Sequence, residues 1–214
     1  MADGVGSKKA LAERGPAAPT PSAAVAHRPL DGPGARLTSG LLRDWQRRSR
    51  EASLPLALRQ MEAAGNLGNL RLAIAGGGEG YRGPVFMDSD VYKTLEAIGW
   101  ELGHAESPSL AAFAAEAIAL LEKAQQPDGY LNSYIQATGA PRYQRLATSH
   151  EHYCAGHLIQ AAVAHARTQG GDAPLLGVAR RFADHLVDTF LGREEGLDGH
   201  PVVETALVEL YRET

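Results

Sequence analysis

Apolar residues recur every three or four positions from Leu110 through Phe113, Ala114, Ala117 and Ile118 to Leu121. That is the period of an α-helix with one buried face. The stripe returns in Leu175, Val178, Ala179, Phe182, Ala183, Leu186 and Phe190. With no alternating run long enough for a strand, the chain is confined to helix-on-helix packing. Punctuation between the stripes predicts about six helices, arranged as α-hairpins in a toroid or solenoid. The first starts near Thr38, carries Leu41, Leu42 and Trp45, and runs to about Ala64 with a kink or break at Leu54, before Pro55. Gly65 to Gly83 holds seven glycines and reads as a long loop. Asp88 or Ser89 caps a helix to about Gly103, and Ser107-Pro108 opens the next. That helix stops before Pro127-Asp128-Gly129, and Tyr130 to Tyr143 reads as loop. A helix from about Ser149 closes at Gly170-Gly171, Asp172 caps its successor, and Pro201 opens a last one that still runs at Thr214.

Composition narrows the class. Residues 1–35 are Ala, Gly, Pro and Ser with few large apolar side chains, so they are expected as a disordered tail before a single helical domain over 36–214. A net charge of -4 offers no basic footprint for nucleic acid. One cysteine makes no internal disulfide, and no apolar run approaches the roughly 18 residues that span a bilayer. The N-terminal lysines precede no apolar stretch of a secretory signal, so a soluble, cytoplasmic protein without membrane partners is expected.

Three histidines and that cysteine crowd into Thr-Ser-His-Glu-His-Tyr-Cys-Ala-Gly-His, 148–157. Spacing puts His150, Cys154 and His157 on one helical face and turns His152 away. His150 and His157 are then about 10 Å apart along the axis, too far for one zinc ion. The simpler reading of Cys154 is a small buried hydrophobe. His150 and His200 both sit at helix entrances, where an imidazole can exchange hydrogen bonds with a hydroxyl-rich ligand or simply lie at the surface. Asp88 and Asp90 could pair as acid and base, although capping accounts for Asp88. His104, His165 and His185 read as solvated. From chemistry alone these residues describe a helical domain with a histidine-lined face and leave catalysis and noncatalytic binding both open.

Four motifs occur in order: Gly83-Pro84-Val85-Phe86-Met87-Asp88-Ser89-Asp90-Val91-Tyr92-Lys93; Gln125-Gln126-Pro127-Asp128-Gly129-Tyr130-Leu131; Ser149-His150-Glu151-His152-Tyr153 with Gly156-His157; and Asp198-Gly199-His200-Pro201 with Glu204-Thr205-Ala206-Leu207. Together they resemble the N-terminal half of the β-L-arabinofuranosidases of glycoside hydrolase family 127. The resemblance implies about half of an (α/α)6 barrel, and a retaining hydrolase that releases terminal arabinofuranose. It also implies a cysteine nucleophile, a glutamate acid/base and a zinc ion held by glutamate and cysteines. Those groups belong to a later part of the family sequence, so no catalytic residue and no zinc ligand is expected among these residues, and this chain alone is expected to be inactive. His150 and His200 match family histidines that line the sugar pocket. His152 stands where an aliphatic residue is usual, and Val202 where an acidic one is. A carbohydrate is the implied partner, and a homodimer of the complete protein is compatible with the resemblance.

Overall fold

The computed structural model describes residues 19, 22–27, 35–170, 173–193 and 197–214. Among the described residues every regular element is helical. In chain order these are α1 (Gly40–Arg48), α2 (Leu54–Ala64), α3 (Asn66–Ala75), α4 (Asp88–His104), α5 (Pro108–Ala124), α6 (Ser133–Thr138), α7 (Leu146–Ser149), α8 (Glu151–Gln169), α9 (Pro174–Phe190) and α10 (Val202–Glu213). The all-α expectation holds. The expected tail over 1–35 lies mostly outside the described residues, as does the expected cap Asp172.

The fold is built around α8. Fourteen of its 19 residues are buried, which a helix with a single apolar face cannot achieve. Ala155, Gly156, Ala161, Ala162, Ala164 and Ala166 keep it thin, so α4, α9 and α10 pack on it from different sides. Glycines on the contact lines set the closeness. A Cβ at Gly99 of α4 would stand 2.9 Å from the His165 ring, and one at Gly103 2.6 Å from Thr168. A Cβ at Gly156 would stand 2.8 Å from the Val203 nitrogen at the start of α10. On α5 the predicted stripe buries Leu110, Ala114, Ala117 and Leu121, with Phe113 and Ile118 packed at the margin of the core. On α9 the stripe from Leu175 to Leu186 is buried, and Phe182 has no exposure at all. Each such large side chain contributes roughly 1.5–3 kcal/mol.

Several expectations give way to tertiary structure. The stretch read as a long loop contains α3, whose ends are Gly65 and Gly76 in the left-handed region, at φ 94° and 70°. Gly65 and Gly76 are helix stops rather than signs of irregular chain. Asn66 and Asn69 are buried there, donating to the carbonyls of Met87 and Arg82. The interruption expected at Leu54 is present as a change of helix type, from π-helix to the start of α2. The π-helical stretch Ser49–Ser53 lets the Leu54 amide reach back to the Ser49 carbonyl, and Pro55 enters at the first turn of α2, where its missing N–H costs nothing. None of the residues of α1, Leu41, Leu42 and Trp45 included, is buried.

Asp88 caps no helix of its own. Its buried carboxylate accepts from the amide (2.6 Å) and hydroxyl of Ser133, so it ties the start of α4 to the start of α6. The stretch from Tyr130 to Tyr143, read as loop, holds α6, which Asn132 caps by accepting from the Ile135 amide. His165 is not solvated. It is 1% exposed, with Nε2 2.9 Å from the Leu95 carbonyl and Nδ1 2.9 Å from Gln169. His185 is packed against Tyr130 and Tyr143, with Nδ1 3.0 Å from the Asp128 carbonyl.

The far end of α8 is bound to α10 by charge. Arg167, 2% exposed, pairs with Glu209 and Glu213. Removing the guanidinium would strand a buried carboxylate, at a cost of about 3–5 kcal/mol. Arg167→Ala is therefore expected to lower stability by that amount in urea melts, whereas Arg71→Ala, at an exposed pair with Glu62 and Glu116, shifts it by less than about 1 kcal/mol. Equal effects would show that the buried pairing does not hold α10. Gly156→Ala is expected to destabilise by about 1–3 kcal/mol in the same melts, because α10 has to retreat from the new methyl group.

Candidate functional site

The entrance of α8 is shaped by two residues in an uncommon backbone conformation. His150, at φ 58° and ψ 26°, separates α7 from α8, and Tyr143 has φ 61°. For non-glycine residues the left-handed region is disfavoured, so the surroundings must hold them there. One carboxylate does much of this. Glu151, 1% exposed, accepts from the Tyr143 amide at 3.1 and 3.0 Å, the Tyr130 hydroxyl at 2.6 Å and the Ser149 hydroxyl at 2.7 Å. The turn brings His150 Nδ1 to 2.8 Å from the Thr148 carbonyl. A carbonyl only accepts, so Nδ1 carries the hydrogen, and in the neutral imidazole Nε2 then keeps a lone pair for a ligand.

The second histidine arrives from a distant loop. One oxygen of Asp198 accepts from the amides of His152 (3.1 Å) and Tyr153 (3.3 Å), in the first turn of α8. The other accepts from the His200 amide at 2.9 Å. Gly199 lets the loop press on α7, since a Cβ there would lie 2.8 Å from the Ala147 carbonyl oxygen. The outcome is that the rings of His150 and His200 lie 5.1 Å apart.

Tyr153 sits in the middle of this group. Its ring is 5.6 Å from His150, 4.8 Å from His200 and 4.5 Å from His157, and Phe86 borders His150 at 5.1 Å. From α4, Lys93 Nζ donates to the Tyr153 hydroxyl at 3.0 Å and lies 3.6 Å from Asp90. Burial, the nearby Lys93 ammonium and His200 together push His157 down to about 4, against the pull of Asp90. It is therefore neutral at ordinary pH. Burial pulls Lys93 down, but its bond to Tyr153 and the charge of Asp90 outweigh this and hold it above the usual lysine value.

The expected single face of His150, Cys154 and His157 does not form. His150 lies outside the helix, and Cys154 is fully buried near Asp88. Burial first, then the Asp88 charge, pushes the Cys154 thiol well above its ordinary value, so it is a poor source of the thiolate that zinc requires. Among the described residues no group of three histidine, cysteine or carboxylate side chains is placed to hold a metal ion, so the zinc implied by the resemblance finds no fitting donor set among them. Asp88 and Asp90 do not face one cavity, Asp88 being buried on Ser133 and Asp90 exposed beside Lys93. His152, 8% exposed, packs against Tyr143 and Phe190, and burial lowers its pKa.

Tyr153, Lys93 and Asp198 were not singled out from the sequence. Tyr153 stands three residues after His150, and Lys93 three after Asp90, spacings that put neighbours on one helix face. Asp198 carried no such local signal, because its amide partners lie 46 and 45 residues away.

The chain can now be set beside known proteins. A family model described as β-L-arabinofuranosidase, GH127 catalytic domain, matches residues 35–214. The non-reducing end β-L-arabinofuranosidase of Bifidobacterium longum subsp. longum is 41% identical over 155 residues, covering 68% of this chain and 23% of that protein. The crystal structure of a GH127 β-L-arabinofuranosidase from Geobacillus stearothermophilus T6 superposes with a TM-score of 0.77 at 36% identity, over 84% of this chain and 30% of that one. A solved GH127 β-arabinofuranosidase gives the same TM-score at 29% identity. This chain thus spans less than a third of the length of these relatives. Its helices correspond to part of their (α/α)6 barrel. The chain belongs to the GH127 β-L-arabinofuranosidase catalytic-domain family.

Proposed function

We propose that this chain forms one wall of the sugar pocket in a retaining glycoside hydrolase that releases terminal β-L-arabinofuranosyl groups. The observation that carries the reading is the pairing of His150 and His200. Two segments 50 residues apart are folded against one helix entrance so that their rings meet at 5.1 Å, with a free Nε2 lone pair on His150. Such an array suits a neutral polyol, whose hydroxyls both donate and accept. The names of the relatives support an arabinofuranoside as that polyol.

In this reading the chain binds and orients the sugar. The nucleophile, the acid/base and any zinc ion come from residues beyond those described, so no catalytic step is assigned to His150 or His200. No helix among the described residues is long and apolar enough to cross a membrane. A cytoplasmic setting is part of the proposal, on the strength of the unremarkable charge balance and single cysteine.

The test is ligand-observed NMR on the purified chain with methyl β-L-arabinofuranoside, a probe suited to weak binding. Binding is expected for the unaltered chain, with a five- to tenfold loss, at about 1–1.5 kcal/mol per hydrogen bond, in His150→Ala and in His200→Ala. Hydrolysis of an aryl β-L-arabinofuranoside by the chain alone is not expected, and turnover that survives purification would contradict the assignment of the chemistry elsewhere.

A pH experiment checks the neutral-histidine part. Nitrogen-15 spectra are expected to show His157 still neutral at pH 5, where a free histidine is almost wholly protonated. The folded-state value is depressed, so the unfolded chain takes the proton first. The contribution of His157 to stability is complete above about 6.5 and is lost as the pH falls through about 4. Protonation near pH 6.5 would mean that the site is open to water.

A further inference from the structure

We infer that the Tyr153 hydroxyl is a hydrogen-bond donor to a sugar hydroxyl, oriented by Lys93, and that this pair helps decide which sugars the site accepts. The inference rests on the sugar-pocket reading above.

The argument is a proton count. An ammonium group only donates, so the 3.0 Å bond between Lys93 Nζ and the Tyr153 oxygen occupies an oxygen lone pair. The phenol has one proton of its own, and it must point elsewhere. Among the described residues no acceptor takes it. The neighbouring His157 Nδ1 is buried and has no hydrogen-bond partner, so the proton is not spent there. Around the same ring lie His150, with its lone pair free on Nε2, and His200. A donor and an acceptor therefore sit on neighbouring rings whose centres are 5.6 Å apart. Two adjacent hydroxyls of a sugar can satisfy both, one accepting from Tyr153 and the other donating to His150.

Lys93 is held in place for this role. Asp90 lies 3.6 Å away on the same face of α4, and the ammonium stands 5.3 Å from the centre of the Tyr153 ring. The bond therefore links α4 to α8 across the site and fixes the direction of the phenol. Lys93 acts through Tyr153 and is a positioning residue, whereas Tyr153 touches the sugar.

A site built around a polar contact rejects a ligand that lacks the matching group more strongly than it rejects one of altered size. The test uses methyl β-L-arabinofuranoside and its 2-deoxy, 3-deoxy and 5-deoxy counterparts, titrated by NMR into the unaltered chain, Tyr153→Phe and Lys93→Met. Phenylalanine keeps the ring between the three histidines, and thermal melts check that both variants remain folded. In Tyr153→Phe, affinity for the parent sugar is expected to fall about tenfold while that for one deoxy sugar stays unchanged, which removes the preference between the two. Lys93→Met is expected to shrink the same preference, because the phenol loses its fixed direction. A purely structural role would weaken all four sugars alike, and that result overturns the inference. So does an unchanged preference in Tyr153→Phe when His150→Ala still weakens binding about five- to tenfold, and the sugar-pocket reading then stands without it. Absence of binding by the unaltered chain removes the pocket reading first and this inference with it.

Discussion

Three backbone amides converge on the carboxylate of Asp198, and the site exists because they do. Helix α8 is buried over most of its length, so its first amides are shielded from water and need acceptors from the protein. The residue that would ordinarily cap it, His150, is left-handed and provides no side-chain cap. A carboxylate from a distant loop takes the place of that cap, and its charge suits the positive end of the helix. Because the same carboxylate also accepts from the His200 amide, satisfying α8 brings His200 to His150. A requirement of folding thus assembles the candidate binding surface.

Glu151 does the corresponding work on the opposite side of the entrance. It is an acidic residue in the first turn of α8, yet its carboxylate serves Tyr143, Tyr130 and Ser149. This holds the two left-handed residues in place without glycine. A glycine at position 150 would relax the backbone and discard the imidazole, so strain there goes with the presence of the ring. Gly156 and Gly199 contribute by being small, since both stand where the α10 segment and its preceding loop approach within reach of a Cβ.

What the sequence revealed divides along physical lines. The stripes of α5 and α9 were legible because each helix has a wet face and a dry face, and the contrast leaves a period. The helix α3 was hidden by its own stop signals, since Gly65 and Gly76 at its ends and Gly68 within it look like loop composition. Local spacing places Ser107 correctly at the N-cap of α5 with Pro108 in the first turn, although its hydroxyl makes no capping bond; Asp88 caps no helix, and the acceptor of α8 lies beyond any local window. His165 looked solvated because its partner is the Leu95 carbonyl of another helix, 70 residues away. His150 and His200 were singled out by position and by resemblance, but no spacing rule could place their rings in contact.

The charge balance at the site also bears on what it can hold. An anion would find in Lys93 the one cation raised above its usual range here, and that group already faces Asp90 and Tyr153. A cation would compete with Lys93 for Asp90 and would find His157 with its basicity suppressed by burial. Neither ion gains much. A neutral ligand with several hydroxyls loses nothing to these pairings, because it uses what they leave free: one lone pair on His150 and the phenol proton of Tyr153. Burial and the neighbouring Lys93 ammonium hold His157 below the usual histidine value, so it adds no positive charge to the site, and an uncharged surface is what a sugar hydroxyl needs.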